Sequence, residues 1–452
     1  MHSCWTTATS MAHTFARHAK TCPAEGKTMR MLVVCQYYAP EPFRIADICV
    51  ELAKRGHAVS VLSGIPNYPE GRFYKGYGLA RRRKEILDGV RITRVPVLPR
   101  GRGGAFALAL NYLSFVLSAS WQAIRGGTEP CDVVLVYQLS PVFMAIPAIL
   151  AGRRNKAPVV HYVADLWPES LSTAGGTGNK VILSAVGWIV DRIYRRSAAI
   201  LVTSAGFTPS IVARGHPASK IRYIPQYPED VYRPATVAAA DPAKAEMPQG
   251  FVVVFTGNIG KAQGLEVLVS AAERLKEYRD ISWVLIGDGR ARVELQEKVS
   301  ARGLGERVLF LGRKPMARIP TYLALSDIAL LCLAPEPLFA LTLPAKLQSY
   351  FACGIPIVGS IDGDAARVIA ESGAGLAGAA GDAKALADNV LRLRESDEAE
   401  RRRLSENALR YFESNFRKSG LIDRIEGCLR EVADEYKATH GSRNDIRLGR
   451  RS

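Results

Sequence analysis

Short runs of β-branched and apolar residues alternate with amphipathic or small-residue stretches along nearly the whole chain, and this alternation limits the possible folds more than any other feature. In the first half the runs are 31–34, 59–63, 90–95, 133–137, 159–163, 200–203 and 221–224; in the second they are 252–256, 283–287, 308–312, 328–333 and 356–360. Near-continuous apolar strands separated by helices form parallel sheets with helices on both faces. Pro225, Pro228, Pro234, Pro242 and Pro248 interrupt the pattern. The chain therefore divides into two doubly wound α/β units joined by a linker. The expected boundaries are 29–228 and 249–408, followed by a helix at 409–437 and a basic tail at 438–452. With 452 residues, each unit is long enough to bury its own core.

Composition is ordinary for a globular protein, with 48% hydrophobic and 23% charged residues, which excludes wholesale disorder and a polytopic membrane protein. The net charge of +17 is unusual and calls for a polyanionic partner or an anionic membrane. Residues 29–225 hold 25 Lys and Arg against 11 Asp and Glu, whereas residues 226–452 hold 32 against 31. The excess belongs to the first half. A nucleic-acid surface would interleave aromatic residues with a basic strip, but the charges cluster at 81–84 and 153–154, so no nucleic-acid partner is expected. The eight cysteines form no CxxC pair and no metal-spaced cluster, which suits a reduced chain without a zinc site. Residues 1–28 contain no apolar run long enough for a signal peptide and are expected to be a disordered extension. Residues 105–124 carry no charge and match the length of a bilayer span of about 20 residues. That segment stays open to three readings: a helix lying on its domain, a helix partly inserted at a membrane interface with Tyr112 and Trp121 near the headgroups, or a span.

Residues 255–265, FTGNIGKAQGL, close the first strand of the second half and open a helix. Gly257, Gly260 and Gly264 allow sharp turns and bare N–H groups, the helix end adds partial positive charge, and Lys261 adds a full one. Such a loop is built to receive a phosphate, although it is neither a P-loop nor the GxGxxG fingerprint. Its position faces the crevice where doubly wound sheets bind ligands. Residues 341–356, LTLPAKLQSYFACGIP, form a Pro-initiated helix ending at Gly354, with Lys346 in its first turn. A lysine there is unfavourable unless an anion lies nearby.

In the first half, residues 159–170 (VVHYVADLWPES) place Asp165 and Glu169 at the carboxyl end of a buried strand. Two acids there suit acceptor binding or proton transfer; the alternative is that Asp165 caps the next helix and Trp167 packs. His161 reads first as a core histidine, with a cleft-facing side as the alternative. The segments YYAPEPFR and GIPNYPE line the same edge and make Arg44 and Asn67 candidate acceptor contacts. The pair Asp362 and Asp364 follows a strand and precedes a helix, so turn and cap roles are expected and a metal is not.

Together the segments PEPFRIAD, GIPNYP, VADLWPES, GNIGKAQGLEVLV, LIGDGR, FLGRKP and LTLPAKLQSYFACG resemble the GT-B glycosyltransferases of family 4. The likeness is strongest to bacterial surface-polysaccharide enzymes of the colanic acid and O-antigen type, which transfer fucose-like or N-acetylfucosamine-like sugars. It implies two Rossmann-like domains facing across a cleft, the first binding the acceptor and the second the nucleotide sugar, with the last helix crossing back to the first domain. By motif position, Gly257, Asn258, Gly260, Gly264, Lys261, Lys346 and the backbone at Thr342 would meet the diphosphate, and Arg313 and Lys314 would lie on the loop contacting the base. Ser349 stands where the family carries a ribose-binding Glu, and Gln263 where it carries a late Lys, which leaves Lys261 as the substitute. The reaction implied is metal-independent and cofactor-free transfer from a UDP- or GDP-sugar to a polyprenyl-pyrophosphate-linked saccharide, with retention. Asp165, Lys261 and Lys346 would be catalytic; Arg44, Asn67, His161 and Glu169 would contact the acceptor. The enzyme would work in the cytoplasm, peripherally on the inner face of the bacterial inner membrane, where +14 on the acceptor half meets anionic lipid. A nucleotide-sugar 2-epimerase shares the fold and is the alternative.

Overall fold

The computed structural model describes residues 28–101, 104–173 and 178–448. Apart from Thr28, the extension expected at 1–28 lies outside the described residues. The first sheet contains β1 (Arg30–Val34), β2 (Ala58–Gly64), β3 (Lys84–Leu87), β4 (Val90–Val95), β5 (Val133–Gln138), β6 (Val159–Val163), β7 (Ala199–Val202) and β8 (Ile221–Tyr223). Their order is β3-β4-β2-β1-β5-β6-β7-β8, parallel throughout except where β3 meets β4. The second sheet contains β9 (Phe251–Thr256), β10 (Ile281–Ile286), β11 (Val308–Gly312), β12 (Ile328–Cys332), β13 (Ile357–Ser360) and β14 (Gly375–Gly378), ordered β11-β10-β9-β12-β13-β14 and wholly parallel.

Central strands such as β5, β9 and β10 are buried at every position, which is why they read as unbroken apolar runs. On one face of the first sheet Phe115, Ala119, Ala148 and Val190 pack from three helices. Ile45 and Leu52 pack on the other face together with Ile422, Ile425 and Leu429 from the far end of the chain. The helix Glu398–Asn415 lies on the helix Ala345–Cys353 of the second unit, and the chain turns at 416–417 into the long helix Lys418–Leu448 that covers the first sheet. The single helix expected at 409–437 is thus two helices, and the second continues through 438–448. Strand order reverses between β1 and β5 in one sheet and between β9 and β12 in the other, so ligand crevices open at the carboxyl ends of those strands.

The two units meet near these edges. Asp364, in the first turn of the helix Gly363–Ser372, accepts hydrogen bonds from Ser204 Oγ at 2.5 Å and Gly206 N at 3.3 Å across the interface. Its other oxygen is held by Arg367. Asp362 precedes that helix but does not cap it; its carboxylate accepts from Ala380 N at 3.1 Å. Gly206 packs so close to Leu341 that a Cβ would lie 2.6 Å from the Leu341 carbonyl oxygen. Leu338, Phe339 and Leu341 reach into the apolar cluster of the first unit beside Trp167 and Phe143.

Hydrogen bonds to a charged acceptor contribute about 1.5–3 kcal/mol each, and Asp364 accepts two from the opposite unit. Asp364→Ala is expected to destabilise the protein by roughly 2–3 kcal/mol, visible as an earlier urea transition, with Asp364→Asn falling between. An unchanged midpoint would show that this carboxylate does not hold the units together.

Candidate functional site

The loop after β9 is locked by its neighbours. Gly257 N donates to Ile286 O at 2.8 Å, Ile259 N to Asp288 O at 2.9 Å, and Ala291 N to Ile259 O at 3.0 Å, so the ends of β9 and β10 form one backbone lattice. Gly287 N donates to Gly312 O at 2.8 Å and adds the end of β11. Gly257 has φ of +127°, a left-handed conformation that favours glycine. A Cβ on it would come within 3.4 Å of Lys346 Cδ, so the lysine lies directly on the bare backbone.

Lys346 is the second residue of the helix Ala345–Cys353. Its ammonium donates to Gln263 Oε1 and sits 3.9 Å from the centroid of the Phe255 ring. No carboxylate pairs with it among the described residues. Burial lowers its pKa to about 8. Gly257, Gln263 and Lys346 therefore come together at the switch point of the second sheet. Asn258 and Lys261 are exposed, and Lys261 lines a cavity of 480 Å³ with Gly260, Gly264, Glu294 and Lys298 rather than joining Lys346. Thr342 turns its hydroxyl to Leu338 O at 2.9 Å. Arg313 is open to solvent, 3.5 Å from Asp288.

Two donor-side expectations need correction. Lys314 is paired with Glu246 of the linker and lies over Tyr322, so it fastens the linker instead of facing the crevice. Ser349 is buried, donates to Ala345 O at 3.4 Å, and faces Tyr232.

In the first unit Asp165 accepts from Ser170 Oγ and, at 3.3 Å, from Trp167 Nε1. Burial raises its pKa against the opposing hydrogen bonds from Ser170, Ser140 and Trp167. Glu169 accepts from Ser210 Oγ at 2.9 Å. Burial places His161 as the core histidine it first reads as and not as an acceptor contact, burial also removes Asn67 from the acceptor contacts, and an ion pair occupies Arg44. His161 is 0% exposed, between Gln138 and Tyr194, and burial lowers its imidazole to about 3, so it stays neutral. It reaches Asp165 only indirectly, since its Nε2 donates to Gln138 Oε1 at 2.7 Å and Gln138 Nε2 donates in turn to Asp165 O at 2.7 Å. Asn67 is 1% exposed and binds Ile65 O and Arg100 N. Arg44 is spent on Glu229 at 2.8 Å and on the Tyr227 ring.

Asp288 and Gly289 of the LIGDGR segment carry the loop lattice: Asp288 O accepts from Ile259 N, and a Cβ on Gly289 would meet Asn258 Oδ1 at 2.7 Å. Gln138 gave no sequence signal, standing at the end of an apolar strand. Among the described residues no group of three or more His, Cys, Asp or Glu is arranged to hold a metal.

Two family models match this chain: a glycosyl transferase 4-like domain over residues 43–226 and glycosyl transferases group 1 over residues 239–411. The chain is a glycosyltransferase of GT-B architecture. It is 25% identical over 341 residues to a putative colanic acid biosynthesis glycosyl transferase of Escherichia coli (strain K12), covering 72% of this chain and 82% of that protein. It is 26% identical over 318 residues to a 2-deoxystreptamine glucosyltransferase of Streptomyces kanamyceticus, covering 67% of this chain and 77% of that protein. The Anabaena protein HepE, solved in complex with UDP, superposes with a TM-score of 0.65 at 17% identity, over 89% of this chain and all of its own.

Lys346 gives a test of sign. A lysine whose pKa falls on folding, from 10.5 to about 8, destabilises the fold below pH 8, and the penalty fades as pH rises toward 10.5. In buffer free of phosphate and nucleotide, Lys346→Met is expected to raise the thermal midpoint at pH 7 by about 2 °C or more, the shift for about 1 kcal/mol in a domain of this size. The difference should close above pH 10. A lower midpoint at pH 7 would contradict the desolvation argument.

Proposed function

We propose that this enzyme transfers a sugar, of the fucose or N-acetylfucosamine kind, from a nucleoside diphosphate to a polyprenyl-pyrophosphate-linked saccharide in surface-polysaccharide synthesis, without a metal and with retention. The observation that carries the donor reading is Lys346: a desolvated, carboxylate-free ammonium in the first turn of a helix, lying on Gly257 at the switch point. An anion placed there gains from the helix end, the loop N–H groups and the lysine together. The UDP complex of HepE supports a uridine donor, and the relative named for colanic acid synthesis supports a polysaccharide pathway.

In the transfer the acceptor hydroxyl oxygen bonds to the anomeric carbon while the bond from that carbon to the diphosphate oxygen breaks. The nucleoside diphosphate leaves with the electron pair, and Lys346, with Lys261 on the flanking loop, stabilises the charge that develops on it. The hydroxyl proton passes to Asp165 or to the leaving phosphate, Asp165 being held in orientation by Ser170 and Trp167.

A peripheral seat on an anionic membrane is supported by the helix Ala105–Ile124. By length and composition it is the one helix among the described residues that qualifies as a span, but it lies on its sheet through Phe115, Ala119 and Ala123. Its other face leaves Phe106, Leu113, Leu117, Trp121 and Ile124 exposed. Arg125 stacks on Trp121 at 4.0 Å, as Arg192 does on Trp188 of the helix Lys180–Arg196 at 4.7 Å.

The test is a panel of UDP- and GDP-sugars with a lipid-linked acceptor. Lys346→Ala and Lys261→Ala are each expected to lower turnover about 10²-fold or more while circular dichroism is unchanged; full turnover in either would remove that lysine from the reaction. Conversion of donor without acceptor would point to an epimerase. Liposomes containing anionic lipid should bind the protein in a salt-sensitive way, and duplex DNA should not.

A further inference from the structure

The carboxyl edge of the first sheet carries a cluster that the donor chemistry does not use. Tyr37, Phe43 and Tyr68 pack with ring centroids 5.0–5.7 Å apart. The Arg100 guanidinium lies over two of them, 4.9 Å from the centroid of Tyr68 and 5.7 Å from that of Tyr37. We propose that Arg100 on this aromatic floor is the phosphate-binding group of the acceptor subsite, taking the diphosphate of a lipid-linked saccharide; this rests on the lipid-linked acceptor proposed above.

Arg100 stands out by its lack of a counter-charge. Its neighbours are spent: Arg94 is bound to Glu85 and Ala39 O, and Arg44 to Glu229. No carboxylate pairs with Arg100 among the described residues. The nearby acid, Glu41, is buried and taken by three backbone donors, Tyr38 N at 3.0 Å and Asn67 N and Tyr68 N at 2.8 Å. The rings lie beside the guanidinium carbon, and no side-chain hydrogen bond among the described residues takes its donors, which leaves them available for a planar, bidentate contact of the kind suited to phosphate oxygens. The backbone fixes this pose, since Arg100 N donates to the buried Asn67 Oδ1 at 3.2 Å.

Two neighbours give the site direction. Tyr112 interacts electrostatically with Tyr37, Arg100 and Asp165, which puts the cation and the acid proposed to handle the acceptor hydroxyl around one tyrosine. Leu98 and Phe106, near Arg100 in the chain, are 52% and 78% exposed and begin a run of exposed apolar residues that continues through Leu113 and Leu117. A molecule with its diphosphate on Arg100 thus has exposed apolar surface nearby for its chain and the proposed transfer site nearby for its saccharide.

Farnesyl diphosphate and farnesol serve as probes, titrated against Lys346→Ala, which silences the donor phosphate site, and against Lys346→Ala with Arg100→Ala. Arg100→Ala is expected to weaken farnesyl diphosphate at least tenfold and farnesol not at all, with Arg100→Lys recovering part of the loss. In protein that keeps Lys346, Arg100→Ala should leave UDP binding unchanged. Unchanged affinity for farnesyl diphosphate would overturn the site, as would an equal loss for farnesol, which would assign Arg100 to apolar packing. If the wild-type enzyme glycosylates a lipid-linked acceptor and Arg100→Ala does not weaken the probe, only the site falls. If the probe depends on Arg100 but no lipid-linked acceptor is glycosylated, the acceptor reading falls and the anion site stands.

Discussion

Two sheets with separate cores make one enzyme only if their carboxyl edges face each other, and here that relation passes through the carboxylate of Asp364. One oxygen takes the Ser204 hydroxyl and the Gly206 amide from the first unit; the other is fixed by Arg367 of its own helix. The segment that Gly206 touches, around Leu341, leads within a few residues to Lys346. The position of Lys346 is therefore coupled to the first unit through backbone contact. Leu338 and Phe339 strengthen the coupling by burying apolar surface beside Trp167, two residues beyond Asp165. Burial of this kind contributes about 25 cal/mol per Å² of apolar area, and it adds to the hydrogen bonds that the carboxylate accepts across the interface.

Much of this arrangement is legible in the amino-acid sequence because buried parallel strands leave an apolar imprint. The imprint fails at the sheet edges. β3 reads KEIL and is largely exposed, while β14 reads GLAG and has almost no side chain to bury, so neither resembles the central strands. Lys346 was legible for an electrostatic reason, being a cation at the positive end of a helix. Arg44 and Lys314 differ from their expected roles for a common reason: the acid that occupies each is distant in sequence. Arg44 finds Glu229 and Lys314 finds Glu246, and no local pattern announces either pairing.

The uneven charge of the two halves takes on a spatial meaning in the fold. In the second unit cations are compensated where they stand, as with Lys298 between Glu266 and Glu294, Arg302 on Glu273 and Arg394 on Asp280. In the first unit Arg153, Arg154, Arg195 and Arg196 occupy the last turns of two helices, where the helix dipole favours them, and have no ion-pair partner among the described residues. Both helices connect parallel strands and so run against them. Their basic ends lie at the edge of the sheet opposite the cleft, and the exposed apolar face of Ala105–Ile124 runs from that edge back toward it.

Lys346 shows why such a site is costly to keep. A lysine with its pKa drawn down to about 8 is held against its own hydration, with only Gln263 and the face of Phe255 in return. Neither neighbour supplies a charge, and a carboxylate in place of Gln263 would compete with any incoming phosphate. The neutral amide orients the ammonium and leaves its charge uncompensated until an anion arrives. The aromatic ring does the same beneath Arg100 in the other unit. At both crevices a cation is positioned by π faces and neutral groups, and an anion bound there, as proposed, would supply the electrostatic stabilisation that the fold withholds.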